Sequence, residues 1–336
     1  MSAINDSRFQ SQVFFLTGIP GQEHNYLWIS VPFCLMYAVS IVGNSFIVFV
    51  IKTNPSLHEP MYILLSMLAV TDLALSITTM LTTLRIYLLN SREIAHDACF
   101  TQLYFILTLI CIESSVLLLM AFDRLIAICD PLRYTSILTP RRLAKMLLVC
   151  VLRGVVLKLP LPIHLKQHQY CREIIPTRSY CTNGEVMKMA CSDITFNIFY
   201  GLWIALLTEG LDSLLILLSY VMILKTVLNI TSHTQCLRAL NTCVSHLCAV
   251  LSFYTPYISV TVMNRFMKSS SPLAQILLGY IYVMFPPLLN PIVYSVKSKH
   301  LRARIVRIFV RRQGNERPKT QAKASCSTCI LSSEMT

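Results

Sequence analysis

The chain has 336 residues, 54% hydrophobic and 13% charged, with a mean hydropathy of +0.59 and a formal net charge of +13. A soluble domain carries about a quarter charged residues, so this balance excludes an ordinary soluble globule and points to the bilayer. Only nine glycines are present, which argues against a β-barrel or a glycine-rich enzyme scaffold.

Residues 1–27 contain no sustained apolar core, so no cleavable signal peptide is expected and the first span inserts the chain itself. Asn5-Asp6-Ser7 in this segment is a glycosylation acceptor. Seven stretches reach the roughly 20 apolar residues that cross a hydrocarbon core: 28–51, 61–83, 100–124, 143–163, 197–224, 239–262 and 273–294. The predicted fold is an all-α membrane protein, with spans and connections filling residues 28–296. Residues 297–312 alternate basic side chains with Leu301, Ile305, Ile308 and Phe309, the pattern of a short amphipathic eighth helix on the membrane surface. Residues 313–336 are polar and rich in Ser and Thr, composition typical of a disordered tail.

Lys and Arg in the connections set the orientation. With the N-terminus outside, eighteen basic residues fall on the cytoplasmic side and nine outside; Arg153 and Lys158 lie within the fourth span. The bias predicts a plasma-membrane protein with an extracellular N-terminus and a cytoplasmic C-terminus. Asn229-Ile230-Thr231 would then lie inside and stay unglycosylated. Among the thirteen cysteines, Cys99, Cys171, Cys181 and Cys191 sit in or beside outer connections, where oxidation is permitted. Four cysteines allow three complete pairings, and spacing does not choose among them. Cys326 and Cys329 form a lone CxxC without a second pair, and the histidines are scattered; no transition-metal centre, enzymatic constellation or nucleic-acid partner is expected.

Ionisable groups within a bilayer are costly, so each is a functional candidate. Asp72 in the second span and Glu113 in the third would make an oxygen-rich site for a cation or a shared proton, since hard ions take oxygen ligands. Hydroxyls of Ser76, Ser114 and Ser115 are the competing partners for these acids. Asp123-Arg124 at the end of the third span offers a switch, the acid holding the arginine until a partner displaces it. Arg153 and Lys158 would pair with Glu209 and Asp212 of the fifth span if those two helices are neighbours.

Several short motifs follow in a fixed order: Gly43-Asn44; Leu57-His58-Glu59-Pro60-Met61-Tyr62; Asp72-Leu73; Met120-Ala121-Phe122-Asp123-Arg124; Pro131-Leu132-Arg133-Tyr134; Ser219-Tyr220. Arg238-Ala239-Leu240-Asn241-Thr242-Cys243-Val244-Ser245-His246 then precedes Phe253-Tyr254-Thr255-Pro256 and Pro286-Pro287-Leu288-Leu289-Asn290-Pro291-Ile292-Val293-Tyr294. In this order, over roughly residues 10–312, they resemble the olfactory receptor family of rhodopsin-like G-protein-coupled receptors, and the spelling resembles its class I (fish-like) branch. The resemblance implies an odorant-activated receptor that couples to a stimulatory G protein and raises cAMP, with arrestin as a further partner. It implies that Arg124 engages the G protein, that Asn290, Pro291 and Tyr294 rearrange the seventh helix, and that Tyr220 takes part near the inner face. Asp72 and Glu113 match a sodium site; no other cofactor is implied. Cys99–Cys181 and Cys171–Cys191 are the implied bridges, with Cys99–Cys191 as the alternative.

A pocket among the outer helix ends is expected to be apolar with a few orienting polar groups. Arg265 and Thr261 share a helical face at i, i+4 spacing, and a guanidinium fork can hold a carboxylate bidentately. Class I receptors favour acids and other polar odorants, which makes Arg265 the candidate ligand-binding residue. The chain departs from the family pattern at Leu125, Asp130, Arg178 and Thr182-Asn183-Gly184-Glu185. Two other readings are a metabolite-sensing receptor acting outside the nose and, less well supported, a transporter or channel.

Overall fold

The structure is a computed structural model that describes residues 13–19, 21–171, 174–175, 179–229, 233–266 and 272–297. Among these residues seven helices are long and apolar enough to cross a membrane: Glu23–Thr53, Pro60–Leu89, His96–Cys129, Pro140–Lys166, Thr195–Leu228, Cys243–Met263 and Leu273–Ser295. Most overrun the hydropathy segments, because caps and polar turns continue a helix beyond its apolar stretch. The third span extends to Cys129, so Asp123-Arg124 lies inside a continuous helix and does not close it. The expected eighth helix, the tail and Asn5 fall outside the described residues.

Local chemistry explains the helix ends. Pro60 and Pro140 open the second and fourth spans at the first helical position, where a missing N–H is harmless and the fixed φ suits the helix. Thr139 caps the fourth span by accepting from the Arg142 amide at 3.4 Å. Asn90 ends the second span in the left-handed region, with φ 49°. Around Leu159-Pro160 the fourth span divides into Pro140–Lys158 and Pro160–Lys166, since proline withdraws a backbone donor.

The third span is the most buried of the seven and packs against the second, fourth, fifth and sixth. Close approaches are set by two glycines. A Cβ on Gly43 would stand 2.9 Å from the Pro291 Cβ, and one on Gly154 would stand 3.1 Å from Ile112 Cγ1 and 3.2 Å from the Thr108 carbonyl. Large apolar side chains such as Leu148, Leu152 and Val156 face outward; on a spanning helix that surface meets lipid tails.

The disulfide-bearing end carries a three-stranded sheet that hydropathy does not reveal. Strand β1 (Val13–Leu16) pairs antiparallel with β2 (Glu93–Ala95) and parallel with β3 (Ile174–Ile175), in the order β2-β1-β3. Alternation buries Phe14 and Leu16. The Phe14 ring stacks on His96 at 3.8 Å and meets Tyr170 edge-on at 5.1 Å.

Candidate functional site

Four groups of polar side chains among the described residues bear on function. The first lies in the middle of the bundle. Asn290 donates to Asp72 at 2.9 Å, Asn44 donates to the Pro287 carbonyl at 2.8 Å, and Ser40 and Ser76 pair at 2.7 Å. Glu113 is fully buried within electrostatic reach of Asp72. Buried oxygens of Asp72, Glu113, Asn290 and Asn44 have no hydrogen-bond partner. Orphaned acceptors of this kind need a reason, and an all-oxygen donor set suits a hard cation.

A second group ties the fourth and fifth spans. Arg153 donates to both oxygens of Asp212, one of them at 3.0 Å. Ser114 and Ser115 also donate to Asp212, at 2.9 and 3.4 Å, and Ser114 pairs with the Tyr254 hydroxyl at 2.8 Å. These serines therefore serve Asp212 and not Asp72 or Glu113. Lys158 donates to Glu209 at 2.9 and 3.2 Å and to Thr208 at 3.1 Å, and Thr208 donates to Glu209. A π-helical turn at Leu206–Gly210 buries Thr208 and Glu209. Such turns recur at functional positions, and neither its presence nor its place follows from hydropathy.

The third group is a lock at the opposite end from the disulfides. Arg124 is held by Asp123 at 2.7 Å, and the Tyr134 hydroxyl donates to the other oxygen of Asp123 at 2.8 Å. Burial first, and then the Asp123 carboxylate, push the Tyr134 phenol above its ordinary range, which keeps it a donor. Tyr220 lies 2.6 Å from His246 Nδ1, while His246 Nε2 sits 3.0 Å from the Leu117 carbonyl. Since a carbonyl only accepts, Nε2 carries the proton and Nδ1 accepts from Tyr220. Sequence singled out Tyr220 but gave His246 and Tyr134 no role, because a lone histidine or tyrosine on a helix carries no spacing signal.

The fourth group is the loop end. Cys99 is joined to Cys181 and Cys171 to Cys191, with Cα separations of 5.5 and 5.7 Å. Gln102 accepts from the Cys181 amide at 3.0 Å and donates to the Thr78 carbonyl and Thr82 hydroxyl at 2.8 and 2.9 Å. Tyr280 bonds Tyr87 at 2.9 Å and also Ser179, and Tyr180 donates to the Gly279 carbonyl at 2.7 Å. Residues 179–181 are thus stitched to the third and seventh spans, and through Gln102 and Tyr280 to the second. Glu185 is buried on the loop helix Asn183–Met189, where Lys188 donates to one oxygen at 2.7 Å and the other is unpartnered.

Of the ligand candidates, Thr261 is half-buried and donates to the Tyr257 carbonyl at 2.8 Å. Arg265 lies in the last turn of the helix His233–Phe266; its side chain, like Arg178, is outside the described residues. Pro291 packs by Gly43, and Tyr294 lies near the end of the helix Pro272–Lys297. Among the described residues no group of three or more His, Cys, Asp or Glu side chains is placed to hold a metal.

Residues 33–312 match the family model described as "Olfactory receptor". The chain is 53% identical to human "Olfactory receptor 51G2" over 305 residues, covering 91% of this chain and 97% of the relative. It is 50% identical to human "Olfactory receptor 51A7" over 306 residues, with the same coverage. In fold it is similar to the crystal structure of squid rhodopsin, with a TM-score of 0.71, 16% identity, and coverage of 88% of this chain and 90% of that one.

Proposed function

Because the chain belongs to the olfactory receptor family, a family of multi-pass G-protein-coupled receptors and not of enzymes, we propose that it is an odorant-activated receptor. It binds a small carboxylic acid among the helix ends at the disulfide-bearing side, and signals through a stimulatory G protein to raise cAMP. Its N-terminus is extracellular and its C-terminus cytoplasmic, the orientation that the basic bias of the connections favours.

The observation that carries this reading is the lock on Arg124. An arginine neutralised by one buried acid, itself held by Tyr134, has two arrangements of comparable chemistry: paired within the bundle, or released to a partner. A ligand that binds the released state better shifts the balance toward it. At the far end, Arg265 supplies the fork for a carboxylate, Thr261 shares its helical face, and the loop segment 179–181 closes over the third and seventh spans. Between them, Asp72 and Glu113 hold a sodium ion that favours the resting arrangement. The orphaned oxygens there support this assignment.

The test is ligand-dependent cAMP in transfected cells, screened with short- and medium-chain acids, with Arg124→Ala as the control. A wild-type response that disappears in Arg124→Ala at equal surface level is expected. A response that survives that substitution overturns the role given to Arg124.

A further inference from the structure

His164, His168 and Asn197 bring three lone-pair donors together at the disulfide-bearing end, where the fourth span meets the start of the fifth. His164 Nδ1 abuts Asn197 Oδ1, and His168 Nε2 lies 3.2 Å from the same His164 Nδ1. Asn197 is fully buried, and its amide nitrogen is turned to the Leu161 carbonyl at 3.3 Å, which points its oxygen at the imidazole. One imidazole proton therefore has to serve both contacts of His164 Nδ1. If His168 supplies that proton, His164 Nδ1 faces the Asn197 oxygen acceptor against acceptor. If His164 keeps it, two acceptors share it.

We propose that these three residues form a site for an imidazole-preferring divalent transition-metal ion such as Zn2+. Two imidazoles ligating one ion at about 2.0–2.1 Å place their nitrogens about 2.9–3.4 Å apart and their ring centres about 4.5–5.2 Å apart, across octahedral to tetrahedral angles. The observed values, 3.2 Å between nitrogens and 4.8 Å between centroids, fall inside both ranges. Opposed rings joined by a linear hydrogen bond would hold their centres farther apart. Just past the helix end the His168 amide donates to the Leu165 carbonyl at 3.1 Å, which keeps its ring beside that of His164, and the Asn197 oxygen supplies a third ligand.

The surroundings suit a cation. His168 is half-buried beside exposed Ser192, whose hydroxyl lies 2.6 Å from the second ring nitrogen and fixes the ring. Asp193 is exposed within electrostatic reach of His168, and hydrogen bonds from Thr195 hold its carboxyl below the usual range. The neighbouring cation, Lys166, is engaged by Asp97 at 2.7 Å. Sequence spacing alone assigns no metal here, because Asn197 lies 33 residues from His164 and an asparagine is not a usual metal signal. Bound metal would clamp the fourth span to the fifth and stabilise the folded receptor by mass action.

The experiment is thermal unfolding of the purified full-length receptor in nanodiscs, titrated with ZnCl2 and in parallel with MgCl2. Variants are His164→Gln, His168→Gln and, as a control at an exposed histidine elsewhere, His24→Gln. A saturable rise in Tm with Zn2+ alone is expected in wild type and His24→Gln. Half-saturation should move to roughly tenfold higher Zn2+ or beyond in each of the other two. His168 lies outside the helix, so His168→Gln decides the matter if His164→Gln does not fold. A wild type indifferent to Zn2+, a His168→Gln protein that titrates like wild type, or an equal rise with Mg2+ overturns the proposal. Since the readout is Tm, it is independent of whether the receptor responds to acids.

Discussion

At the residue scale, the charges inside the bundle follow from the cost of burying them. A carboxylate in hydrocarbon needs a partner, so Asp212 and Glu209 on one helix and Arg153 and Lys158 on the next already suggest a shared interface. The structure supplies both pairs, Arg153–Asp212 and Lys158–Glu209. Removing one member of a buried pair leaves an uncompensated charge and costs about 3–5 kcal/mol, whereas replacing both with apolar residues is far milder. Asp212→Ala is therefore expected to abolish surface expression, and Arg153→Met with Asp212→Leu to restore most of it, as read by flow cytometry. For the second pair, the charge-swapped Lys158→Glu, Glu209→Lys protein should recover the expression that each single substitution loses. At the ligand end, Arg265→Ala should abolish responses to acids at normal surface level; an unchanged dose response would sink the assignment. What the residue pattern could not reveal were Tyr134 and His246, whose roles depend on partners 11 and 26 residues away.

At the element scale, the spans were legible because length and hydropathy define them, while their interruptions were not. The π-helical turn at Leu206–Gly210 and the break at Leu159-Pro160 differ in this respect. Proline announces the second, whereas nothing local announces the first. The strands escaped notice because segments of two to four residues carry almost no periodicity. Packing of the first span on the seventh rests on Gly43. Overpacking a tight contact costs about 1–3 kcal/mol, and a Cβ there meets a rigid proline ring. Gly43→Val should thus lower the Tm of the purified receptor, while the same change at Gly184, where a Cβ meets nothing, should leave it nearly unaltered. The two bridges also differ in reach, with sequence separations of 82 and 20 residues. Loop-closure entropy then makes Cys99–Cys181 worth about 4–5 kcal/mol and Cys171–Cys191 about 3 kcal/mol. Cys99→Ser should be the more damaging substitution in the same unfolding assay.

At the scale of the whole molecule, the arrangement separates three tasks along one bundle. At the disulfide-bearing end the loop is stitched to the third and seventh spans, the middle holds orphaned acids, and the far end holds the Arg124 lock. The separation makes sense as signalling only if the ends face opposite sides of the membrane in a definite sense, which the excess of Lys and Arg predicts. The chain carries its own reporters of that sense. Asn5-Asp6-Ser7 and Asn229-Ile230-Thr231 are both acceptor tripeptides and, by the charge bias, lie on opposite sides, so a lumenal transferase reaches only one of them. In receptor expressed in mammalian cells, glycosidase treatment should shift the band, Asn5→Gln should remove the shift, and Asn229→Gln should leave it intact. A shift that depends on Asn229 would invert the molecule, place Arg124 outside the cell, and withdraw the coupling role derived from its lock.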